Sequence, residues 1–340
     1  CVLDSPISIA DLDTLRLLGY VLSACGVALC LPLLVFKLCI AEYRAFPARI
    51  TTLFIAACTA FHAVVLLGAA FVADWDFEYY RVVVRGQKPS PFCLVQGVLF
   101  QFFACTMIWL WCLVAFVMYL VVVKGYSFER IGTMEKKFHL LWFGMSVMQT
   151  IIPCLVANWP AEPQLGAPYC WISDQDDQLI QISFFTSEMF VALVVGLCFC
   201  FKVLFRFVEL SGAGSGNDRH SLEFAKVIRG YVWRHSMFAV GFASVFITIA
   251  FFVTNQIFAN AGVWCVSYTA AVLHVVSVSG SGIISFAVLG PTRSNLQMIW
   301  RKCTSPVSWK TENRGAEEEF SGLVEDRDEE AGGDYGSFPG

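Results

Sequence analysis

Charge is what this sequence has least of: Asp, Glu, Lys and Arg make up 15% of the residues, while hydrophobic side chains make up 57%. A water-soluble domain carries about a quarter charged residues, and one core would not hide this much apolar surface. The spacings H-E-x-x-H, G-x-S-x-G and the phosphate-binding G-x-x-x-x-G-K are all missing, so no enzyme and no cofactor is expected. No chain of carboxylates runs through the apolar segments, which argues against an ion or proton path. The last apolar segment contains no lysine, so a retinal Schiff base cannot form there. The 14 cysteines do not make paired C-x-x-C spacings with histidine, so no metal site is expected. Most lie inside apolar runs (Cys25, Cys30, Cys58, Cys105, Cys112, Cys198, Cys200), where cysteine behaves as a small hydrophobe.

What is present is a series of long apolar runs. A helix crosses the hydrocarbon layer with about 20 mostly apolar residues. The runs predict spans near 15–38, 50–73, 93–123, 139–157, 181–206, 235–258 and 264–290. The expected fold is therefore an all-α membrane protein, a seven-transmembrane helix bundle occupying 15–290. Residues 1–14 are expected to be an extracellular segment, incomplete because the chain opens on Cys1, with no signal peptide visible. After Gly290-Pro291, Leu296, Ile299, Trp300 and Cys303 recur at helical spacing between Arg293, Arg301 and Lys302. That pattern predicts a short amphipathic helix on the membrane surface over 291–303, with Cys303 placed for palmitoylation. The acidic, Gly-rich stretch 304–340 lacks apolar periodicity and reads as a disordered cytoplasmic tail, either regulatory or a plain solvated linker.

Basic residues fix the orientation. Arg16, Arg81, Arg85 and Lys88 lie at the N-terminus or after span 2; the other nineteen fall after spans 1, 3 and 5, at adjacent helix ends or in the tail. The positive-inside rule then predicts an extracellular N-terminus and a cytoplasmic C-terminus in the plasma membrane. Cys93, opening span 3, and Cys170, after span 4, both face the oxidising side, where a disulfide persists. Such a bond would pin the outer loop over the bundle; the alternative is two unpaired thiols. Cys1 and Cys265 also face outward and could form a second bond.

Ionisable groups inside spans are costly and are candidates for function. They are Glu188 in span 5, His62 in span 2 and His274 in span 7, with Gln96 and Gln101 in span 3, Gln149 in span 4, and Asn255 and Gln256 in span 6. Glu188, Gln96, Gln101, His274, His62 and Gln256 form the expected ligand-binding set; alternatively each only bonds a neighbouring helix. His62 and His274 could meet if spans 2 and 7 are neighbours. Trp109 and Trp111, two apart on one helix, face different ways, so at most one should line a cavity. At the inner face, Lys136, Lys137, Arg206, Lys226 and Arg229 are candidate protein-docking residues, although topology and attraction to anionic lipid explain them equally well.

Seven spans, an outward N-terminus, paired outer cysteines and an amphipathic helix resemble a G-protein-coupled receptor. The rhodopsin-like class is a poor match: span 3 has no D-R-Y, span 6 no proline and span 7 no N-P-x-x-Y. The sequence is similar instead to the cyclic-AMP-receptor-like class, related to secretin-like receptors. The residues that carry this are Cys93-Leu-Val-Gln96-Gly97, Trp109-Leu-Trp111, Phe128-Glu129-Arg130, Lys137 to Gly144, Cys170-Trp171-Ile172 and Gly282 to Gly290. The resemblance implies an outward ligand pocket beneath the Cys93–Cys170 loop. It also implies movement of the inner ends of spans 5 and 6 on activation, and a heterotrimeric G protein as partner, with no nucleic acid. Cyclic AMP does not follow. Ten acids on the outer segments (Asp4, Asp11, Asp13, Asp74, Asp76, Glu78, Glu162, Asp174, Asp176 and Asp177) outnumber the four bases and favour a cationic or neutral ligand. A seven-span transporter or channel, and a scaffold acting through its acidic tail, are the competing readings.

Overall fold

The structure, a computed structural model, describes residues 9–40, 43, 46–71, 90–156, 162–163, 169–171, 187–213, 237–238, 240–249, 251 and 268–290. All of these fall in one compact unit, Cys1–Gly290. The helices are α1 (Ile9–Cys39), α2 (Ala48–Phe71), α3 (Pro91–Val122), the short α4 (Phe128–Gly132), α5 (Glu135–Val156), α6 (Ser187–Ala213), α7 (Val240–Ile249) and α8 (Tyr268–Leu289). Among the described residues six of these, α1, α2, α3, α5, α6 and α8, are long and apolar enough to cross a membrane. The expected sixth span, 235–258, is described only in part, and α7 is its apolar centre. The expected amphipathic helix, Cys303, the acidic tail, Cys1, Cys265, Asn255, Gln256, Lys226 and Arg229 lie outside the described residues.

Local chemistry sets the helix starts. Ser90 caps α3, its side chain accepting from the Cys93 amide at 3.2 Å, with Pro91 in the first turn where no amide donor is needed. Ser127 does the same for α4 through the Arg130 amide, 3.3 Å. Pro32 lies within α1 and Pro153 within α5; such interruptions are tolerated when neighbouring helices surround the freed carbonyl.

The bundle is organised around α3, which packs on α2, α5 and α6, while α1 bridges α2 and α8. Most of α3 is buried. The outer helices instead present large apolar side chains outward: Leu17 and Val35 on α1, Leu140 and Leu155 on α5, Phe201 and Phe205 on α6. Water would penalise that surface, and lipid does not. Between α5 and α6 a two-stranded antiparallel pair forms, β1 (Glu162–Pro163) with β2 (Cys170–Trp171), Pro163 opposite Cys170. β2 lies against α3.

Candidate functional site

A disulfide joins Cys93, in the first turn of α3, to Cys170 on β2, with 5.4 Å between the Cα atoms. It draws the loop inward rather than merely across the top: Tyr169, Cys170 and Trp171 are all at most 1% exposed. Three side chains then hold the buried tip. Gln96 accepts from the Cys170 amide at 3.0 Å and donates to the Val64 carbonyl of α2, also at 3.0 Å. Gln101, one and a half turns deeper, accepts from the Trp171 indole at 2.6 Å and donates to the Cys105 thiol at 3.4 Å. His274 of α8 shares a 2.6 Å hydrogen bond with the Tyr169 hydroxyl. Phe100 stacks on Tyr169 at 4.2 Å between centroids, and Trp171 lies parallel to the His274 ring at 6.3 Å. Burial holds the Tyr169 phenol well above its usual pKa, because a phenolate there would lose its hydration.

Below the tip is a cavity of about 30 Å³. Trp171 and Phe100 form its upper wall; Phe61, Ala104, Met107, Ile108, Phe242, Val245, Phe246, Ile249 and Val278 form the rest, with Ser281 the polar group among them. It has space for about two waters, far less than the several hundred Å³ of an ordinary ligand site.

Ser281 connects this cavity to a second polar cluster. Its hydroxyl lies 3.3 Å from Nε2 of His62 and donates to the Val278 carbonyl at 2.8 Å. Gly26 of α1 and Gly282 of α8 flank the His62 ring. A Cβ on Gly282 would fall 2.7 Å from both Nε2 and the Gly26 Cα, so only glycine lets the three helices close here. One turn further in, the Cys30 thiol donates to the Gly282 carbonyl at 3.3 Å, and Cys58 meets the Ser285 hydroxyl at 3.5 Å.

The structure thus brings Gln96, Gln101 and His274 together, but around the loop tip rather than around open space. α2 and α8 are neighbours, yet the two histidines take separate partners. Glu188 is half-buried in the first turn of α6 and does not line the cavity; its Oε2 has no hydrogen-bond partner among the described residues. Neither tryptophan of α3 lines the cavity. Trp109 donates to Gln149 of α5 at 3.1 Å, and Trp111 packs edge-on against Phe246, its ring filling the space that Gly196 leaves on α6. Lys136, Lys137 and Arg206 are exposed, with Arg206 paired to Glu209 at 2.9 Å. Tyr169 and Ser281 carry no motif that would single them out in the sequence; adjacency to Cys170 was the one available signal for Tyr169.

A helical membrane bundle with a disulfide-bonded loop sunk between its helices has the build of a G-protein-coupled-receptor-like membrane receptor. Residues 12–279 match the model of the Frizzled/Smoothened family membrane region, and the chain belongs to that family. No curated protein matches the chain. The family is one of receptors in this broad class; the match does not extend to the cyclic-AMP-receptor-like class that the Cys93 to Ile172 motifs resemble.

Proposed function

We propose that this chain is a cell-surface receptor that reads an extracellular ligand where the loop tip enters the bundle and passes the signal to a heterotrimeric G protein. The observation that carries the reading is the buried tip itself: Tyr169 and Trp171 are tethered by the Cys93–Cys170 bond and seated on α3 and α8 directly above the cavity. In this reading residues 235–258, including α7, supply a seventh span. The N-terminus is outside, and 291–303 lies on the inner membrane surface with Cys303 as its lipid anchor. The kinship to cyclic-AMP-receptor-like proteins then concerns layout, not ligand.

Apolar walls with Ser281 as the polar point favour a neutral ligand with one hydrogen-bonding group. The cavity must enlarge to admit it, and the side chains placed to yield are Trp171 from the loop and Phe246 from α7. The apolar walls leave Glu188 and Gln256 as contacts for a larger ligand reaching the outer rim. At the other end Lys136 and Lys137, with Arg206, Lys226 and Arg229, form the docking surface for the G protein.

A ligand panel read out as nucleotide exchange on a G protein in cells tests this. Lys136→Ala with Lys137→Ala should abolish ligand-dependent exchange while surface expression stays normal. Full coupling in that double variant removes the docking surface. Failure of every ligand class to elicit exchange removes the receptor reading in its G-protein form.

A further inference from the structure

We propose that the inner ends of α3 and α6 hold the headgroup of one anionic phospholipid, with Lys124 and Lys202 as the phosphate-binding residues. Both lysines are exposed and both converge on one ring: their Nζ atoms lie 5.9 and 5.7 Å from the centroid of Tyr119. A ring face at that distance attracts a cation but does not neutralise it. Among the described residues neither lysine joins an ion pair, whereas Arg16, Arg49 and Arg206 each have a carboxylate within 3.3 Å. Two like charges gathered on one neutral group, with no ion-pair partner among the described residues, leave a site complementary to an anion.

Membrane depth and packing select a lipid as its source. Lys202 lies in the last part of the α6 span, which ends at Arg206, and Lys124 two residues past the α3 span, which ends at Val122. The ammoniums therefore sit at the hydrocarbon boundary, where phosphates of the leaflet are found. α5 and α6 each pack on α3 but not appreciably on each other, so α3 floors a cleft between them. The floor is aromatic: Phe116 contacts Phe199 at 5.1 Å and Tyr119 contacts Phe199 at 5.2 Å. An acyl chain fits such a cleft while its phosphate reaches the two lysines. In the orientation proposed above this is the cytoplasmic leaflet, but lipid retention does not depend on G-protein coupling.

Native mass spectrometry of the full chain, released from micelles doped with phosphatidylglycerol or phosphatidylcholine, tests the site. One phosphatidylglycerol should be retained in preference to phosphatidylcholine, and inorganic phosphate at millimolar excess should not displace it. Each basic group near the surface contributes about 5-fold to such binding, so K124Q with K202Q should weaken retention by about 25-fold. K124R with K202R should stay within about 3-fold of the parent by the same electrostatics. The charge-matched K310Q with R314Q should leave retention unchanged. Equal retention of phosphatidylcholine, displacement by phosphate, unaltered binding in K124Q with K202Q, or equal loss in K310Q with R314Q would each overturn the proposal.

Discussion

The two buried histidines occupy clusters built in opposite ways. His274 is held by a loop: its partner Tyr169 arrives from between α5 and α6, and a disulfide keeps it there. His62 is held by helices alone, pressed between Gly26 and Gly282 with Ser281 as its hydrogen-bond partner. The first cluster rests on a few residues of loop and one disulfide. The second cannot change without sliding α1, α2 and α8 past one another, and close-packed interiors resist that strongly. A bundle arranged in this way has a tethered loop as lid over a seam made by helices alone, with Ser281 touching both the seam and the cavity.

The largest effect should come from cutting the lid's tether. Cys170→Ser opens a loop closed over a sequence separation of 77 residues and removes at most roughly 4.5 kcal/mol of loop-closure stabilisation. The expected outcome is a large fall in the melting temperature of purified protein in detergent. An unchanged melt would show that Gln96 and Gln101 seat the tip without the bond. The seam should be sensitive to the opposite perturbation, addition rather than removal. Gly282→Ala places a methyl 2.7 Å from the His62 ring and the α1 backbone, and overpacking of this kind costs about 1–3 kcal/mol. If Gly282→Ala melts like the parent, the seam is loose and the contrast with the lid disappears.

Much of this contrast could be read from the residues, and part of it could not. The spans follow from apolar runs whose length is set by the bilayer, so six of them are found close to where hydropathy places them. Cys93 and Cys170 were identifiable because the charge distribution predicts that both face one side, the oxidising one. The role of Gln96 was not legible, because its partners, a carbonyl of α2 and an amide of the loop, are backbone groups that every residue has. His62 and His274 look alike in sequence, each a lone imidazole in an apolar run. What separates them is three-dimensional: a loop that folds inward in one case and two glycines from distant helices in the other.

Within the lid, the Tyr169–His274 bond should carry the next largest effect. Tyr169→Phe leaves the ring stack on Phe100 but removes the hydroxyl that bonds Nε2 of the buried His274, a loss of about 1–3 kcal/mol. A double-mutant cycle with His274→Phe should return a coupling energy of the same order, and additive losses would mean the bond contributes nothing. The pH dependence has a definite sign. Burial raises the Tyr169 pKa above the ordinary phenol value of about 10, so the folded state holds this proton more tightly than the unfolded chain does. Its contribution is fully present below pH 10 and falls away as pH rises beyond that. Melting curves of the parent should therefore decline above pH 10 more steeply than those of Tyr169→Phe.

The smallest effect belongs to an ion pair at the far end of the bundle, where neither lid nor seam reaches. Arg49 of α2 meets Glu135 of α5 at 2.8 Å, and Glu135 also meets His139 at 3.2 Å. The Arg49 side chain is 47% exposed, so water and salt screen the attraction, and pairs of this kind are worth at most about 1 kcal/mol. Arg49→Ala should accordingly shift the melting temperature by a degree or two, with the shift shrinking at high salt. Its value lies in the comparison. A loss as large as that of Tyr169→Phe would mean that α2 and α5 are locked together through their polar ends, leaving the lid only one of two places where the bundle is held shut.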